Sequence, residues 1–506
     1  MDDTEAQRSL AEKAERKERV AIIGTGLAGL TAAYLLHNDK KKRYEVTLFE
    51  QAETLALDTA SVTVKSEATG ITERVDVPPR SYCTGYYANL CRMYDHLNIP
   101  AKEIWHHFIF TEAPAVTNSK AESPFPDHVP DKKDAAVGSY FAYAEKWRAL
   151  LSPRSGLRAV YLFICHMWFL AACFLVAPHA GRPEPYLADV ASDADNKKAG
   201  DDGESLREYL RRIRVPRKYA THHLLPILCV LCSCTHRDME DFPASDVVGF
   251  IKGVAWRKTK LARNGVQQVQ STLVKDISDV RLRTRVTRVV RCEGGMSVGY
   301  ESRDDKTSSE ETFARVVLAV SPTVAAKIFE PCRPLLGDIP TAPVITSILG
   351  PASQGLSIID TKPSSRDIPP LRTDAQFISF RTVFADGDDD AETESLHYLP
   401  SGAISRTSCR PSATGDKALL HRSQFTRTLR TPASRRMVQM ATGAHKQSTK
   451  KRLPDESDVD GDIWVNGREN VWITGSWCWD GMVVLEGCVV SAMRVARDFD
   501  VEIPWE

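Results

Sequence analysis

The first hydrophobic segment of the chain has the pattern of a strand that leads through a turn into a helix. Residues 20–23 are all apolar, residues 24–29 read Gly-Thr-Gly-Leu-Ala-Gly, and residues 30–36 are rich in Ala and Leu. A second apolar run follows at residues 44–49. Short, continuous apolar runs are typical of strands buried on both faces of a parallel sheet. The pattern therefore predicts a βαβ unit at residues 20–49.

The turn in this unit has the Gly-x-Gly-x-x-Gly spacing of a dinucleotide site. Gly24 permits the tight turn, Gly26 lets the backbone approach a pyrophosphate, and Gly29 lets the helix pack closely on the strand. The second strand ends at Glu50, 21 residues after Gly29. An acidic side chain at this spacing receives the ribose hydroxyls of a dinucleotide. Leu27 begins the helix whose N-terminus faces the anion.

Later segments repeat the same kinds of pattern far from the first unit. Residues 61–77 predict a strand pair, residues 280–290 alternate with period two and predict one arm of a hairpin, and residues 314–320 predict a buried strand. Residues 471–481 predict a strand and a loop, and a helix begins near Leu485. We expect this last unit to return to the sheet of the first.

Residues 159–177 form a nineteen-residue apolar stretch interrupted only by His166. As a helix it would be about 28 Å long, close to the thickness of a bilayer core. A single crossing would place the glycine turn and the C-terminal unit on opposite sides of a membrane, which disfavours a single-pass topology. The stretch is interpreted as a re-entrant or interfacial anchor, a buried helix, or part of a hydrophobic substrate tunnel.

Composition narrows the class of protein. The 506 residues include 66 basic and 66 acidic side chains, so the net charge is zero and nothing indicates a nucleic-acid partner. The charged, polar residues 1–17 do not resemble a secretory signal. We expect an intracellular protein, cytoplasmic or peripherally attached to a membrane through residues 159–177. The oligomeric state is left open.

The cysteines include one cluster that could bind a metal. Cys229, Cys232 and Cys234 lie close together in sequence, with His236 nearby. The cluster lies in an apolar segment, where cysteine behaves as a small hydrophobic residue. No second ligand pair of the kind that tetrahedral zinc sites use is evident. The prediction is a set of free thiols and no metal.

Four blocks together resemble the flavin-containing amine oxidase superfamily, in particular its branch of FAD/NAD-binding oxidoreductases. They are the glycine turn with Glu50, residues 75–90, residues 285–319, and residues 475–487. The resemblance implies FAD as the cofactor. It implies that the cofactor-binding residues are Gly24, Gly26, Leu27, Ala28, Gly29, Glu50, Val286, Gly475, Ser476, Glu486, Gly487 and Cys488.

The resemblance also implies an α/β fold in which a Rossmann-type FAD-binding domain is built from discontinuous segments and interleaved with an α+β substrate domain. The expected segments are a disordered N-terminus at 1–17, FAD-binding parts at 18–100, 256–335 and 461–506, and substrate-domain parts at 101–255 and 336–460. The apolar helix at 159–177 belongs to the first substrate-domain part.

The chain departs from the family pattern at one informative place. Family members usually carry a Gly-Gly pair shortly after the ribose-binding acid, but residues 51–58 contain no glycine. Side chains at Ala56 and Leu57 would crowd the cofactor there. Residues 264–267 likewise keep only one glycine, Gly265, where two are common.

No catalytic residue can be assigned from the sequence. Trp477 and Trp479 could wall a substrate pocket or pack in the core, Cys478 could invite a covalent flavin link, and Lys252 or Lys258 could bind a water. The conceivable bases are His166, His222, His223, His397 and His421.

The long apolar stretch and the aromatic C-terminal loop indicate a hydrophobic small-molecule substrate such as a lipid, an isoprenoid or a polyketide. The leading hypothesis is an FAD-dependent oxidase or desaturating dehydrogenase. The alternatives are an amine oxidase that releases hydrogen peroxide and ammonia, and a non-catalytic scaffold that keeps the flavoprotein fold.

Overall fold

The computed structural model describes residues 17–68, 70–113, 139–142, 153–181, 203–304, 307–350, 356–359, 376–384, 391–409, 419–443 and 464–506. The expected disordered segment at 1–17 therefore lies almost entirely outside the described residues. The strands are β1 (Glu18–Ile23), β2 (Tyr44–Phe49), β3 (Val62–Ser66), β4 (Thr72–Val75), β5 (Tyr82–Cys83), β6 (Ala101–Ile104), β7 (His106–Ala113), β8 (Ser139–Ala142), β9 (Thr259–Ala262), β10 (Asp279–Arg281), β11 (Thr284–Cys292), β12 (Gly295–Ser302), β13 (Ser308–Phe313), β14 (Arg315–Leu318), β15 (Thr341–Leu349), β16 (Leu356–Ile359), β17 (Gln376–Val383), β18 (Glu392–Tyr398), β19 (Ile404–Ser408), β20 (Leu419–Thr428) and β21 (Val471–Ile473).

The α-helices are α1 (Leu27–His37), α2 (Ala88–His96), α3 (Pro153–Leu175), α4 (Leu206–Arg212), α5 (Arg217–Tyr219), α6 (Leu225–Cys232), α7 (His236–Glu240), α8 (Ala244–Val254), α9 (Gly265–Val274), α10 (Pro322–Ile328), α11 (Arg333–Leu336), α12 (Pro432–Ala441) and α13 (Leu485–Asp498). A π-helical segment, Ala220–Leu224, connects α5 to α6, and 3-10 turns lie at Glu330–Cys332 and Arg468–Asn470.

A five-stranded parallel sheet collects strands from distant parts of the chain. Its order is β10-β2-β1-β14-β21. The central strand β1 pairs with β2 from the same βαβ unit and with β14, almost 300 residues further along, since Ala21 lies opposite Val316. This confirms the α/β class and the return of the C-terminal unit to the first sheet. The domain boundaries themselves stay a prediction.

A larger sheet is built from strands in other parts of the chain. Its seven strands run in the order β20-β15-β19-β18-β17-β7-β8. The neighbouring pairs are antiparallel, except that β7 and β17 are parallel. Strands β3 and β4 form the predicted antiparallel pair, and β11 and β12 form the predicted hairpin.

The apolar stretch is helix α3, which begins before the predicted range 159–177 and ends two residues earlier. One stripe of the helix, including Leu162, Cys165, Phe169 and Cys173, packs into the main hydrophobic core. By length and composition residues 156–175 could span a membrane, but only 28% of the most apolar window is buried in the protein. An apolar helix packed on one stripe alone leaves large hydrophobic side chains in contact with solvent.

A buried arginine connects the end of the seven-stranded sheet to a loop of the parallel sheet. Arg430, just after β20, is 2% exposed, and its Nη1 atom donates to Asp246 Oδ2 on α8 at 3.2 Å. The same guanidinium donates to the carbonyl oxygens of Trp477, Trp479 and Gly481 in the loop between β21 and α13. These contacts fix the C-terminal loop of the parallel sheet against α8 and the end of the seven-stranded sheet.

We predict that Arg430→Leu lowers the free energy of unfolding by about 3–5 kcal/mol, because it leaves the buried Asp246 carboxylate with one arginine only and removes the donor to three carbonyl oxygens of the C-terminal loop. The matched control is Arg435→Leu, since Arg435 also pairs with Asp246 but is 27% exposed. The control should lose about 1 kcal/mol or less. Urea unfolding followed by circular dichroism measures both, and equal losses would contradict this role of Arg430.

Candidate functional site

A large cavity lies between the parallel sheet and the seven-stranded sheet. Its volume is about 1710 Å³. Pockets for one drug-sized ligand have volumes of roughly 300–1,000 Å³, so this cavity has room for more than one small molecule. One end is formed by the turn before α1 and the loops after β14 and β21, and the other by aromatic and aliphatic side chains around α3, α6 and α8.

The glycine turn has the geometry that a pyrophosphate site needs. Gly24 has φ +101°, and a Cβ there would lie 2.5 Å from the carbonyl oxygen of Ala319. A Cβ on Gly29 would lie 2.1 Å from the carbonyl oxygen of Gly24. Gly26 faces the cavity, and a Cβ there would meet no atom within 4 Å. Gly24 and Gly29 thus permit close packing, while Gly26 leaves open space for a ligand.

Helix α1 begins at this open space. Leu27 and Ala28 line the cavity, and no side chain caps the N-terminus of the helix. Its first backbone N–H groups therefore keep the capacity to bind an anion.

Glu50 lies beside this turn and is buried. Its Oε2 accepts from the backbone N–H and the hydroxyl of Thr25, at 3.2 and 2.6 Å, and its Oε1 accepts from the backbone N–H of Ala52 at 3.0 Å. A carboxylate accepts about four hydrogen bonds. Three are used within the protein and one remains, but Glu50 itself is buried beside the cavity wall and does not line it.

The segment after Glu50, which lacks the glycine pair, forms part of the cavity wall. Ala56 lines the cavity and its backbone N–H donates to the hydroxyl of Thr25 at 2.8 Å. Leu57 is buried outside the wall, and its carbonyl oxygen accepts a hydrogen bond from Arg80.

Two other predicted positions lie outside the cavity wall. Val286 lies on β11 opposite Tyr300 and is buried. Gly265, the one glycine of residues 264–267, lies against Asp76.

Residues from the C-terminal unit divide into two groups. Gly475, Ser476, Trp477 and Cys488 line the cavity, together with the first residue of α13. A Cβ on Gly487 would collide with the carbonyl oxygen of Ser476 at 2.4 Å, so this glycine permits packing of the loop on the helix.

Glu486 and Trp479 are turned away from the cavity wall. The Glu486 carboxylate accepts from the backbone N–H groups of Asn89 and Leu90, at 2.9 and 3.0 Å, and so caps α2. Burial raises the pKa of Glu486. Trp479 packs edge-on against Tyr86, and its indole N–H donates to the carbonyl oxygen of Met482 at 2.9 Å. Of the two tryptophans proposed for the substrate pocket, the geometry brings only Trp477 to the wall.

Three of the five conceivable bases line the cavity, namely His166, His223 and His397. Burial lowers the pKa of His223 and of His397 to about 4, so both imidazoles are neutral near pH 7. His166 Nδ1 lies 2.9 Å from the hydroxyl of Tyr219, and burial also lowers its pKa. His222 and His421 lie elsewhere.

The lysines and cysteines noted in the sequence lie outside the cavity wall, apart from Cys488. Lys252 Nζ lies 5.9 Å from the ring centre of Phe174, and Lys258 pairs with Glu103 at 2.9 Å. Cys478 is fully buried away from the wall, and burial raises the pKa of its thiol. Within the described ranges, no group of three His, Cys, Asp or Glu side chains has a metal-binding arrangement.

The charged side chains on the cavity wall are all arginines. They are Arg80 in the loop after β4, Arg427 on β20, Arg158 on α3 and Arg257 after α8. Among the described residues, no Asp, Glu or Lys lines the cavity. Sequence reasoning did not single out any of the four, because they come from four separate elements with no common spacing.

Comparison with known proteins supports the fold. Residues 22–97 match the NAD(P)-binding Rossmann-like domain family. A protein assigned as a protoporphyrinogen oxidase from Exiguobacterium sp. 255-15 has 13% identity and a TM-score of 0.53, and the alignment covers 96% of this chain and 99% of that one. A fatty acid isomerase from P. acnes that produces CLA has 12% identity and a TM-score of 0.52, with 95% and 99% covered. A putrescine oxidase mutant has 14% identity and a TM-score of 0.49, with 96% and 99% covered.

A search of curated protein sequences finds no significant match. Residues 22–97 thus resemble an NAD(P)-binding Rossmann-like domain, and the fold of the chain is similar to that of the two structures with TM-scores above 0.5. At these identities the similarity establishes the fold, and the substrate is a separate question.

We predict that two alanine substitutions in the same turn change the stability by different amounts. Gly24→Ala should lower the free energy of unfolding by at least about 1–2 kcal/mol, because the residue has positive φ and its Cβ would collide with backbone. Gly26→Ala should change it by less than about 0.5 kcal/mol, because its Cβ points into open space. Thermal unfolding of both variants tests the geometry, and a comparable loss in Gly26→Ala would refute it.

Proposed function

We propose that the protein is an FAD-dependent oxidoreductase, an oxidase or a desaturating dehydrogenase, that acts on a hydrophobic small molecule. The observation that carries the proposal is the single cavity that joins a dinucleotide turn to an apolar chamber. A flavin placed against the C-terminal loop would face that chamber directly. Lipids, isoprenoids and polyketides fit its aromatic and aliphatic walls.

The described residues fit FAD. The open space at Gly26 and the uncapped start of α1 suit the pyrophosphate, and Glu50 keeps capacity for a ribose hydroxyl. Gly475, Ser476 and Cys488 would lie along the ribityl chain and the ring. When bound, FAD supplies a two-electron acceptor for a substrate C–H or N–H bond.

The protein's own contribution at the substrate is to orient it and to exclude water. The apolar chamber includes Phe108, Phe110, Phe169 and Phe380, which favour an apolar molecule and disfavour bulk water. Neutral histidines on the wall could hold a proton, but the geometry favours none of them as the base.

The amine oxidase alternative has less support from the site. An alkylammonium substrate would need a carboxylate or another partner for its charge, and within the described part of the chain the wall offers only arginines as charged groups. The non-catalytic alternative rests on the missing glycine pair, whose place on the wall is taken by Ala56. Direct measurement of bound flavin decides between that scaffold and an enzyme.

The test of the proposal is the visible absorption spectrum of the gel-filtered protein before and after denaturation. We expect flavin bands and release of FAD at about one per chain. Gly26→Val should lose most of the flavin, because its side chain fills the space for the pyrophosphate. The matched control Gly249→Val, at an exposed position on α8 with equally open space, should retain it. A colourless protein that takes up no added FAD would favour the scaffold.

We also propose that the protein binds membrane surfaces peripherally through the opening of the cavity. Four exposed apolar residues also line the cavity and form what we term the apolar collar: Val160, Phe163, Ile227 and Trp256. Phe163 is 65% and Trp256 79% exposed. Exposed apolar groups bordered by the basic residues Arg257 and Lys258 are typical of an interfacial anchor. A substrate could then pass from lipid to the cavity without crossing water.

Co-sedimentation with vesicles of phosphatidylcholine and phosphatidylglycerol tests this proposal. Phe163→Glu and Trp256→Glu should each weaken binding about tenfold or more, because a large apolar group is replaced by a charge. The matched control is Trp105→Glu, since Trp105 is 65% exposed but lies outside the cavity. Equal binding by all variants, or no binding by the unmodified protein, would contradict a membrane role for the collar.

A further inference from the structure

Two arginines on the cavity wall make no hydrogen bond or ion pair with an acidic side chain in the part of the chain that the structure describes. The Nε atoms of Arg80 and Arg427 are both buried without a hydrogen-bond partner. Arg80 Nη2 donates to the carbonyl oxygen of Leu57 at 3.0 Å, and the Arg427 side chain makes no hydrogen bond or ion pair with any residue that the structure describes. Both are part of the wall of the same cavity. Both residues are otherwise partly buried, and a partly buried guanidinium without an acidic partner favours the binding of an anion.

The nearest acidic group does not serve as that partner. Asp76 acts on Arg80 electrostatically, but its Oδ1 accepts from the backbone N–H of Val266 at 3.1 Å and the residue lies outside the wall. Arg80 and Arg427 also act on each other, and burial together with Arg427 lowers the pKa of Arg80. Two like charges held together in a partly apolar cavity favour an anion between them.

Both guanidinium groups lie close to the part of the wall that would face the flavin ring. Each acts electrostatically on the thiol of Cys488, near the start of α13, and Arg427 also acts on Tyr87. Arg427 lies on β20, and Arg80 follows the wall residues Pro78 and Pro79. The pair thus lies near the start of α13, whereas the residues of the apolar collar lie on or just after α3, α6 and α8.

We infer that Arg80 and Arg427 form an anion subsite that binds the carboxylate of a long apolar substrate. The planar fork of an arginine matches the two oxygens of a carboxylate, so two arginines can hold it from two sides. The apolar tail then extends through the aromatic chamber toward the collar. This inference rests on the proposed function and narrows its substrate class from hydrophobic molecules to apolar carboxylic acids.

Isothermal titration calorimetry of the full chain, as purified, with oleate, oleyl alcohol and oleyl phosphate tests the subsite. We expect oleate to bind at least tenfold more tightly than oleyl alcohol. Arg427→Gln and Arg80→Gln should each weaken oleate binding at least tenfold and leave oleyl alcohol binding unchanged. Arg427→Lys keeps the positive charge and should retain part of the affinity for oleate. This variant tests the subsite even if the glutamine variants do not fold. Tighter binding of oleyl phosphate than of oleate would contradict a carboxylate site.

The matched control is Arg422→Gln, since Arg422 lies on the same strand but outside the cavity wall. This control should bind oleate like the unmodified protein, and an equal loss would overturn the subsite. Flavin content, measured separately by absorption, distinguishes the inference from the proposed function. Loss of FAD in the arginine variants with unchanged oleate affinity would assign the pair to the cofactor and overturn the inference. Oleate binding by a protein without flavin would support the subsite even if the oxidoreductase proposal fails.

Discussion

The pairing of strand β1 with its neighbours brings together the residues of the candidate site. Strand β1 is hydrogen-bonded to β2 on one side and to β14 on the other, and β21 joins beyond β14. Because these strands are parallel, their carboxyl ends meet at one edge of the sheet. Gly24, Glu50, Ala319 and Gly475 follow four different strands and are brought to that edge. The open space at Gly26 is a consequence of that register.

The shape of the cavity also depends on how the seven-stranded sheet is held over this edge of the parallel sheet. The described strands of the two sheets share no backbone hydrogen-bond ladder, and Arg430 connects the sheets through its side chain. It binds Asp246 on α8 and carbonyl oxygens of the C-terminal loop at the same time. Trp477, whose carbonyl oxygen is one of those acceptors, is itself part of the cavity wall. The shape of the chamber thus depends on a buried charge pair as well as on apolar packing.

Local features were predictable from the sequence, and features that depend on distant contacts were not. The turn at Gly24, the strand ending at Glu50 and the helix at Leu27 follow from short-range pattern and steric rules. Glu486 lies in the expected loop–helix unit, but its contact with Asn89 joins residues almost 400 positions apart. Arg80, Arg427 and Arg430 belong to separate elements, and their shared surroundings exist only once both sheets have formed.

The strands of the seven-stranded sheet between residues 341 and 428 were missed for a related reason. Strand β15 is paired on both sides and mostly buried toward its end, whereas β20 alternates between partly buried and exposed positions. The partly buried positions of β20 include Ser423 and Arg427 as well as Phe425, so its alternation in burial does not appear as a hydrophobic period in the sequence. The apolar helix α3 could be predicted from its composition. The composition did not indicate which stripe of the helix packs in the core.

The most direct measurement of the central claim is a crystal structure of the full chain grown with FAD and a long-chain carboxylate. The account predicts the pyrophosphate at Gly26 and the start of α1, the flavin ring along Gly475, Ser476 and Cys488, and the carboxylate between Arg80 and Arg427. A structure in which the cavity takes up neither molecule, or in which the dinucleotide lies away from the glycine turn, would contradict it.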